Sequence, residues 1–218
     1  MKKSGTLEKL LDCGIIPIFR TSSVETATAV AEALIKGSVP VLELPLSFPG
    51  SLAVIEKVAK HFGKDLLLGA GTVLTPQAVR DAISAGAQYI VSPNTNVNVI
   101  KECLSEAVPC FPGALTPTEI AMALQAGADA IKVFPCNAMG GPAYIRALKA
   151  PFPDSLLIPC GGVGVDNAAG YFTAGADAVF TGTTLINAVL VESGNFMGIT
   201  KNTQKLMDIV RSSRKMTA

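Results

Sequence analysis

Ala126-Gly-Ala-Asp-Ala-Ile-Lys-Val-Phe-Pro135 is built from a helix-ending glycine, a short turn, an apolar burst and a proline that stops it. The same order returns in Lys36-Gly-Ser-Val-Pro-Val-Leu-Glu-Leu-Pro45, Ala85-Gly-Ala-Gln-Tyr-Ile-Val-Ser-Pro93 and Ala174-Gly-Ala-Asp-Ala-Val-Phe-Thr-Gly182. Glycine supplies the left-handed conformation that caps a helix, and a short run buried on both faces reads as a parallel strand. The repeated glycines fall at 37, 86, 127 and 175, about two βα units apart, so one further unit belongs in each gap.

Working outward from the repeat, strands are expected at 15–19, 41–44, 66–69, 89–92, 108–111, 131–134, 157–160 and 178–181. Amphipathic stretches at 24–35, 76–84, 118–125 and 143–148 supply helices between them. Thr116-Pro-Thr-Glu119 is a helix start, with a capping hydroxyl, proline at the first position and glutamate three residues on. Eight alternating units with no break in composition predict an α/β fold, a single (β/α)8 TIM barrel over one domain, 1–218. Residues 4–13 form an extra N-terminal helix under the barrel, and the tail from about 198 a last surface helix. An open doubly wound sheet fits less well, because no Gly-x-Gly-x-x-Gly follows the first strand.

Composition narrows the function classes. Apolar residues make up 49% of the chain and charged residues 16%, with a net charge of +1 and no basic or acidic block. Nucleic acid and membrane surfaces do not fit as partners, since both select a concentrated positive face. No run of about 18 apolar residues occurs and the first residues are charged, so the chain reads as cytoplasmic. Five widely spaced cysteines without Cys-x-x-Cys support neither a disulfide framework nor a zinc site. The one histidine, His61, sits at a helix end, which argues against histidine-based catalysis.

Strand ends of a barrel converge on one mouth, where active sites lie. Charged residues there are few: Arg20 after the first strand, Glu43 in the second and Lys132 in the sixth. A lysine walled by aliphatics loses hydration, which lowers its pKa and favours the neutral amine that attacks a carbonyl. Lone buried charges are costly, so Glu43 and Lys132 are expected in one cavity, either as a structural ion pair or as amine nucleophile and proton shuttle. Cys160-Gly-Gly-Val-Gly164 and Thr181-Gly-Thr-Thr184 follow the last two strands, the usual phosphate position of this barrel. Gly69-Ala-Gly-Thr-Val73 allows close approach of a ligand, with Thr72 as hydroxyl donor, or is simply a βα turn.

With these motifs in order the chain resembles the 2-keto-3-deoxy-6-phosphogluconate / 4-hydroxy-2-oxoglutarate class I aldolases. The matching pieces are Val-Leu-Glu at 41–43, Gly-Ala-Gly-Thr-Val at 69–73, Ile-Val-Ser-Pro at 90–93, Phe-Pro-Gly at 111–113, Ile-Lys-Val-Phe-Pro at 131–135 and Gly-Gly at 161–162. The resemblance implies a barrel, usually a homotrimer, that cleaves a keto acid sugar phosphate to pyruvate and glyceraldehyde 3-phosphate without cofactor or metal. It puts the Schiff-base lysine at Lys132, the acid/base glutamate at Glu43 and a carboxylate-holding threonine at Thr72. Ser47, Pro93 and Cys160 fall beside the substrate, and Gly161, Gly162, Gly182 and Thr183 at the phosphate.

Two positions depart from that pattern. Ser47 stands where the phosphogluconate-type enzymes carry an arginine, and Arg20 is the candidate to replace it. Cys160 stands where a threonine usually precedes Gly-Gly; no histidine is at hand to make it a nucleophile. Glu-Leu-Pro-Leu at 43–46 and Tyr-Ile-Arg-Ala-Leu-Lys-Ala at 144–150 look more like phosphogalactonate-type relatives. The substrate is therefore left open among the gluconate, galactonate and hydroxyoxoglutarate types. Other readings of the same residues are a phosphosugar isomerase or synthase using Lys132 as a clamp, and a non-catalytic sugar-phosphate-binding barrel.

Overall fold

The computed structural model describes residues 3–217, so residues 1, 2 and 218 of the expected 1–218 domain lie outside it. Strands β1 (Ile15–Pro17), β2 (Val41–Pro45), β3 (Leu67–Gly71), β4 (Ile90–Val91), β5 (Cys110–Phe111), β6 (Gly113–Ala114), β7 (Ile131–Val133), β8 (Leu157–Pro159) and β9 (Val179–Thr181) are buried along their whole length. The expected fifth strand, 108–111, is shortened to β5, and Pro112, whose nitrogen has no hydrogen to give a ladder, separates it from the further strand β6. The Pro112 carbonyl still accepts from Lys132 N–H at 3.0 Å.

All ladders are parallel: β9–β1, β2–β3–β4–β5 and β6–β7–β8. Their seams close the ring. Ile18 bridges Glu43, and Phe19 N–H donates to the Glu43 carbonyl at 3.0 Å, joining β1 to β2. Pro112 carries the chain from β5 to β6. Between β8 and β9, Asp177 N–H donates to the Leu157 carbonyl at 3.0 Å, while its carboxylate accepts from Leu157 N–H at 2.8 Å. The result is a TIM barrel of eight strand positions.

Asp129 makes the same clamp on Cys110, its carboxylate accepting that N–H at 2.9 Å. The aspartate of the Ala-Gly-Ala-Asp repeat thus ties each strand's entrance to its neighbour. Asp177 also pairs with Lys149 at 2.9 Å. Asp177→Ala strips the Leu157 amide of its acceptor and leaves Lys149 only the Ser155 carbonyl, an expected loss of about 2 kcal/mol. Urea unfolding measures it, and a loss below about 0.5 kcal/mol would mean that the clamp does not hold the seam.

Helices α1 (Lys3–Cys13), α2 (Val24–Lys36), α3 (Ser51–Phe62), α4 (Pro76–Ser84), α5 (Val97–Ser105), α6 (Pro117–Gln125), α7 (Pro142–Lys149), α8 (Ala168–Thr173), α9 (Ala188–Glu192) and α10 (Phe196–Thr217) surround the ring. Side-chain oxygens of Ser23, Thr75, Asn96 and Thr116 cap α2, α4, α5 and α6, and Thr116–Glu119 is the full reciprocal box. Gly86, Gly127 and Gly175 take the left-handed conformation expected of them, at φ of 102°, 95° and 96°. Gly37 does not: its φ is −82°, and Ser38 turns left-handed instead, at 69°. A methyl on Gly37 would stand 2.6 Å from Cβ and Cγ2 of Thr203, so that glycine admits α10 against α2.

Candidate active site

Lys132 is the middle residue of β7 and only 6% exposed. Its Nζ lies 4.9 Å from the ring centroid of Phe180 on β9 and 5.3 Å from that of Phe134. Aromatic faces attract positive charge, so this pair of rings suits an ammonium and equally an iminium in its place. Glu43, in the middle of β2, is 1% exposed. Burial raises its carboxyl above the usual range, opposed by the charges of Lys132 and Arg20. No ion pair joins Glu43 to Lys132. The two ionisable groups share one barrel interior, close enough for the Lys132 charge to act on the Glu43 carboxyl yet not joined as an ion pair.

β3 seats the Glu43 carboxyl with glycine. A methyl on Gly71 would stand 1.8 Å from Glu43 Oε1, so the carboxyl lies across the glycine backbone. Gly71→Ala must push the carboxyl aside. A displacement near 1 Å at a reacting group costs on the order of 10²-fold in rate. Steady-state turnover of a variant with unchanged circular dichroism checks this, and wild-type turnover would show that the carboxyl's seat is irrelevant.

Thr72 follows at φ 56°, a left-handed conformation that a β-branched residue adopts only under constraint. The constraint is visible: Val73 N–H donates to the Val91 carbonyl at 3.1 Å, and Ser92 Oγ donates to the Val73 carbonyl at 2.7 Å. Pro93, half-buried, lies with its carbonyl against Gly113, where a methyl would stand 2.2 Å from that oxygen. Arg20 is exposed just beyond β1 and makes no hydrogen bond or ion pair with a described residue. Its charge acts on both Glu43 and Cys160. Ser47 stands exposed on the loop after β2, without a hydrogen bond to a described residue.

The two glycine loops are tied together. Thr181 Oγ1 donates to the Val163 carbonyl at 3.0 Å, and the Thr184 hydroxyl donates to the same oxygen. Gly161 and Gly162 have φ of 115° and 65°, and Asn167 Nδ2 donates to the Gly162 carbonyl at 2.9 Å. Across the loop, Leu185 and Ile186 N–H donate to the Gly182 carbonyl at 2.9 and 2.8 Å, closing a turn that leaves Thr183 exposed. The N–H groups of Gly161, Gly162 and Thr183 donate to no described residue. Free backbone amides of this kind are able to hold an anion.

Cys160, 6% exposed, borders the same interior; burial pushes its thiol up to about 11, against the pull of Lys132. A thiol that keeps its proton is a poor nucleophile.

Several site residues carried no signal in the sequence. Phe134 and Phe180 fall there within the expected sixth and eighth strands with no role of their own. Asn137 follows β7 in an irregular turn, yet its Oδ1 comes so close that a methyl on Gly161 would stand 2.6 Å away. A separate cleft of about 830 Å3 lies at the other end of the strands, lined among others by Asp12, Cys13, Val41, Leu67, Gln88 and Arg211. Neither Lys132 nor Glu43 borders it, so the chemistry, not the volume, places the site.

Comparison with known proteins gives this geometry its context. The family model described as KDPG and KHG aldolase matches residues 7–202. The chain belongs to that aldolase family. The 2-dehydro-3-deoxy-phosphogluconate aldolase of Treponema pallidum is 35% identical over 198 residues, covering 90% of this chain and 93% of the relative. The 2-dehydro-3-deoxy-6-phosphogalactonate aldolase of Escherichia coli is 37% identical over 175 residues, covering 80% and 85%. A solved KDPG aldolase of Legionella pneumophila, with pyruvate captured as a covalent carbinolamine, superposes with a TM-score of 0.86 at 28% identity, covering 92% of this chain and 97% of that one. As a KDPG/KHG-type aldolase the chain is a lyase. None of its described helices is long and apolar enough to cross a membrane.

Proposed function

We propose that this chain cleaves 2-dehydro-3-deoxy-6-phosphogluconate to pyruvate and glyceraldehyde 3-phosphate through an imine on Lys132. The observation that carries the reading is a buried amine and a buried carboxyl facing one lumen without pairing. In this mechanism the Lys132 amine attacks C2 of the keto acid, water leaves, and the resulting iminium becomes the electron sink. Glu43, through a water, takes the C4 hydroxyl proton as the C3–C4 bond breaks and its electrons move into the iminium. Glyceraldehyde 3-phosphate departs, the same carboxyl protonates the enamine at C3, and hydrolysis releases pyruvate. A carboxyl whose affinity for protons is raised by burial suits both proton transfers.

In the same reading Arg20 and Thr72 hold the carboxylate, with Ser47, Pro93 and Cys160 beside the carbon chain. The amides at Gly161, Gly162, Gly182 and Thr183 hold the distal phosphate. The chain works as one domain, in a homotrimer, in the cytoplasm.

Cys160, a small thiol at the edge of the lumen, and the Glu-Leu-Pro-Leu at 43–46 favour the C4 epimer, 2-dehydro-3-deoxy-6-phosphogalactonate, as the alternative substrate. 4-Hydroxy-2-oxoglutarate, which has no phosphate, is the third. Retro-aldol kcat/KM on all three substrates separates them. The phosphogluconate proposal expects its own substrate to lead by at least about tenfold, or about 1.4 kcal/mol of transition-state discrimination. A lead for the galactonate epimer moves the assignment to it, and a lead for hydroxyoxoglutarate removes the phosphate role of the glycine loops.

A further inference from the structure

Two buried side-chain polar atoms among the described residues have no hydrogen-bond partner: Glu43 Oε2 and Tyr89 Oη. Buried polar atoms left unpaired are rare, and each calls for an explanation. Tyr89, fully buried, stands immediately before β4, two strands from Glu43, with β3 between them. β3 meets both with glycine. Gly69 is the register partner of Glu43, and a methyl on it would stand 2.2 Å from Cε2 and 2.3 Å from Cζ of Tyr89. Gly71, two residues on, seats the Glu43 carboxyl. The ring therefore crosses β3 over a missing side chain, and its hydroxyl-bearing carbon lies at the level of Glu43.

We propose that the Tyr89 hydroxyl is a positioning group for Glu43, donating a hydrogen bond to its carboxylate through one water, from beneath the reacting centre. The proposal rests on Glu43 as the acid/base group. Besides Tyr89, the ionisable groups that face Glu43 are Lys132 from β7, Arg20 after β1 and Cys160 after β8. Tyr89 in turn faces Glu43 and Cys13 at the end of α1. Burial, then the Glu43 charge, hold the phenol well above its ordinary range, so it keeps its proton and acts as a donor. A donor favours the ionised carboxylate, the form that takes the C4 proton.

The test is the pH profile of kcat/KM for wild type, Tyr89→Phe and Glu43→Gln. Phenylalanine keeps the ring over Gly69 and removes only the hydroxyl. Its acid limb is expected about one pH unit higher than wild type, with KM within about twofold and no gain in Tm. In Glu43→Gln that limb should vanish. If it persists there, the acid/base reading of Glu43 fails and the Tyr89 proposal with it. If it vanishes in Glu43→Gln but Tyr89→Phe leaves it in place, the Tyr89 proposal alone is overturned, and a raised Tm would confirm a hydroxyl buried without a partner.

Discussion

Replacing Lys132 by methionine is expected to cut retro-aldol turnover by at least about 10⁴-fold, the scale on which removal of a covalent nucleophile is felt. Methionine matches the lysine stem in length and suits its surroundings, since the side chain is 6% exposed and lies against Phe134 and Phe180. The fold should survive, with a stability change within about 1.5 kcal/mol. What disappears is the nitrogen. Without it, C2 of the keto acid offers only a carbonyl as electron sink, and nothing in the aromatic walls polarises a neutral oxygen as they stabilise a cationic iminium. Steady-state kinetics alongside chemical denaturation separates the two effects. Turnover within tenfold of wild type in a folded variant would mean that neither a covalent bond to Lys132 nor its charge is needed for the cleavage.

Glu43→Gln comes next in size, with kcat expected to fall by about 10² to 10⁴, the range for losing a general acid–base group. Glutamine is isosteric, so it can still lie across Gly71, and the fold has little to readjust. Imine formation needs the Lys132 amine first, so the variant should still trap pyruvate while failing to break the C3–C4 bond. That split distinguishes a proton shuttle from a structural counter-ion. Loss of a mere counter-ion would disturb Lys132 and depress trapping and turnover together, and that joint loss would sink the assignment.

The two ionisable residues were legible because each interrupts an aliphatic strand, and strand alternation sends Glu43 and Lys132 inward. The eight strand positions were legible for the same reason: each buried burst is bracketed by a glycine and a turn. What escaped depends on register and on loop paths. Tyr89 reads as one more strand aromatic until Gly69 is seen to face Glu43 across β2 and β3. The repeat aspartates, Asp129 and Asp177, look like turn residues until their carboxylates are found on the amides of Cys110 and Leu157. Asn137 reaches the Gly161 loop only because the chain after β7 folds back in a short turn. Gly37 matched the repeat pattern but answers to Thr203 on α10, more than a hundred residues away.

The most direct measurement incubates the enzyme with pyruvate and borohydride and maps the modified peptide by mass spectrometry. Reduction converts a transient iminium into a stable secondary amine, so a covalent route leaves a permanent mark. One pyruvate-derived adduct on the peptide carrying Lys132, retained in Glu43→Gln and missing from Lys132→Met, is the predicted result. An adduct that persists in Lys132→Met, or no adduct on the wild-type chain, would contradict the account.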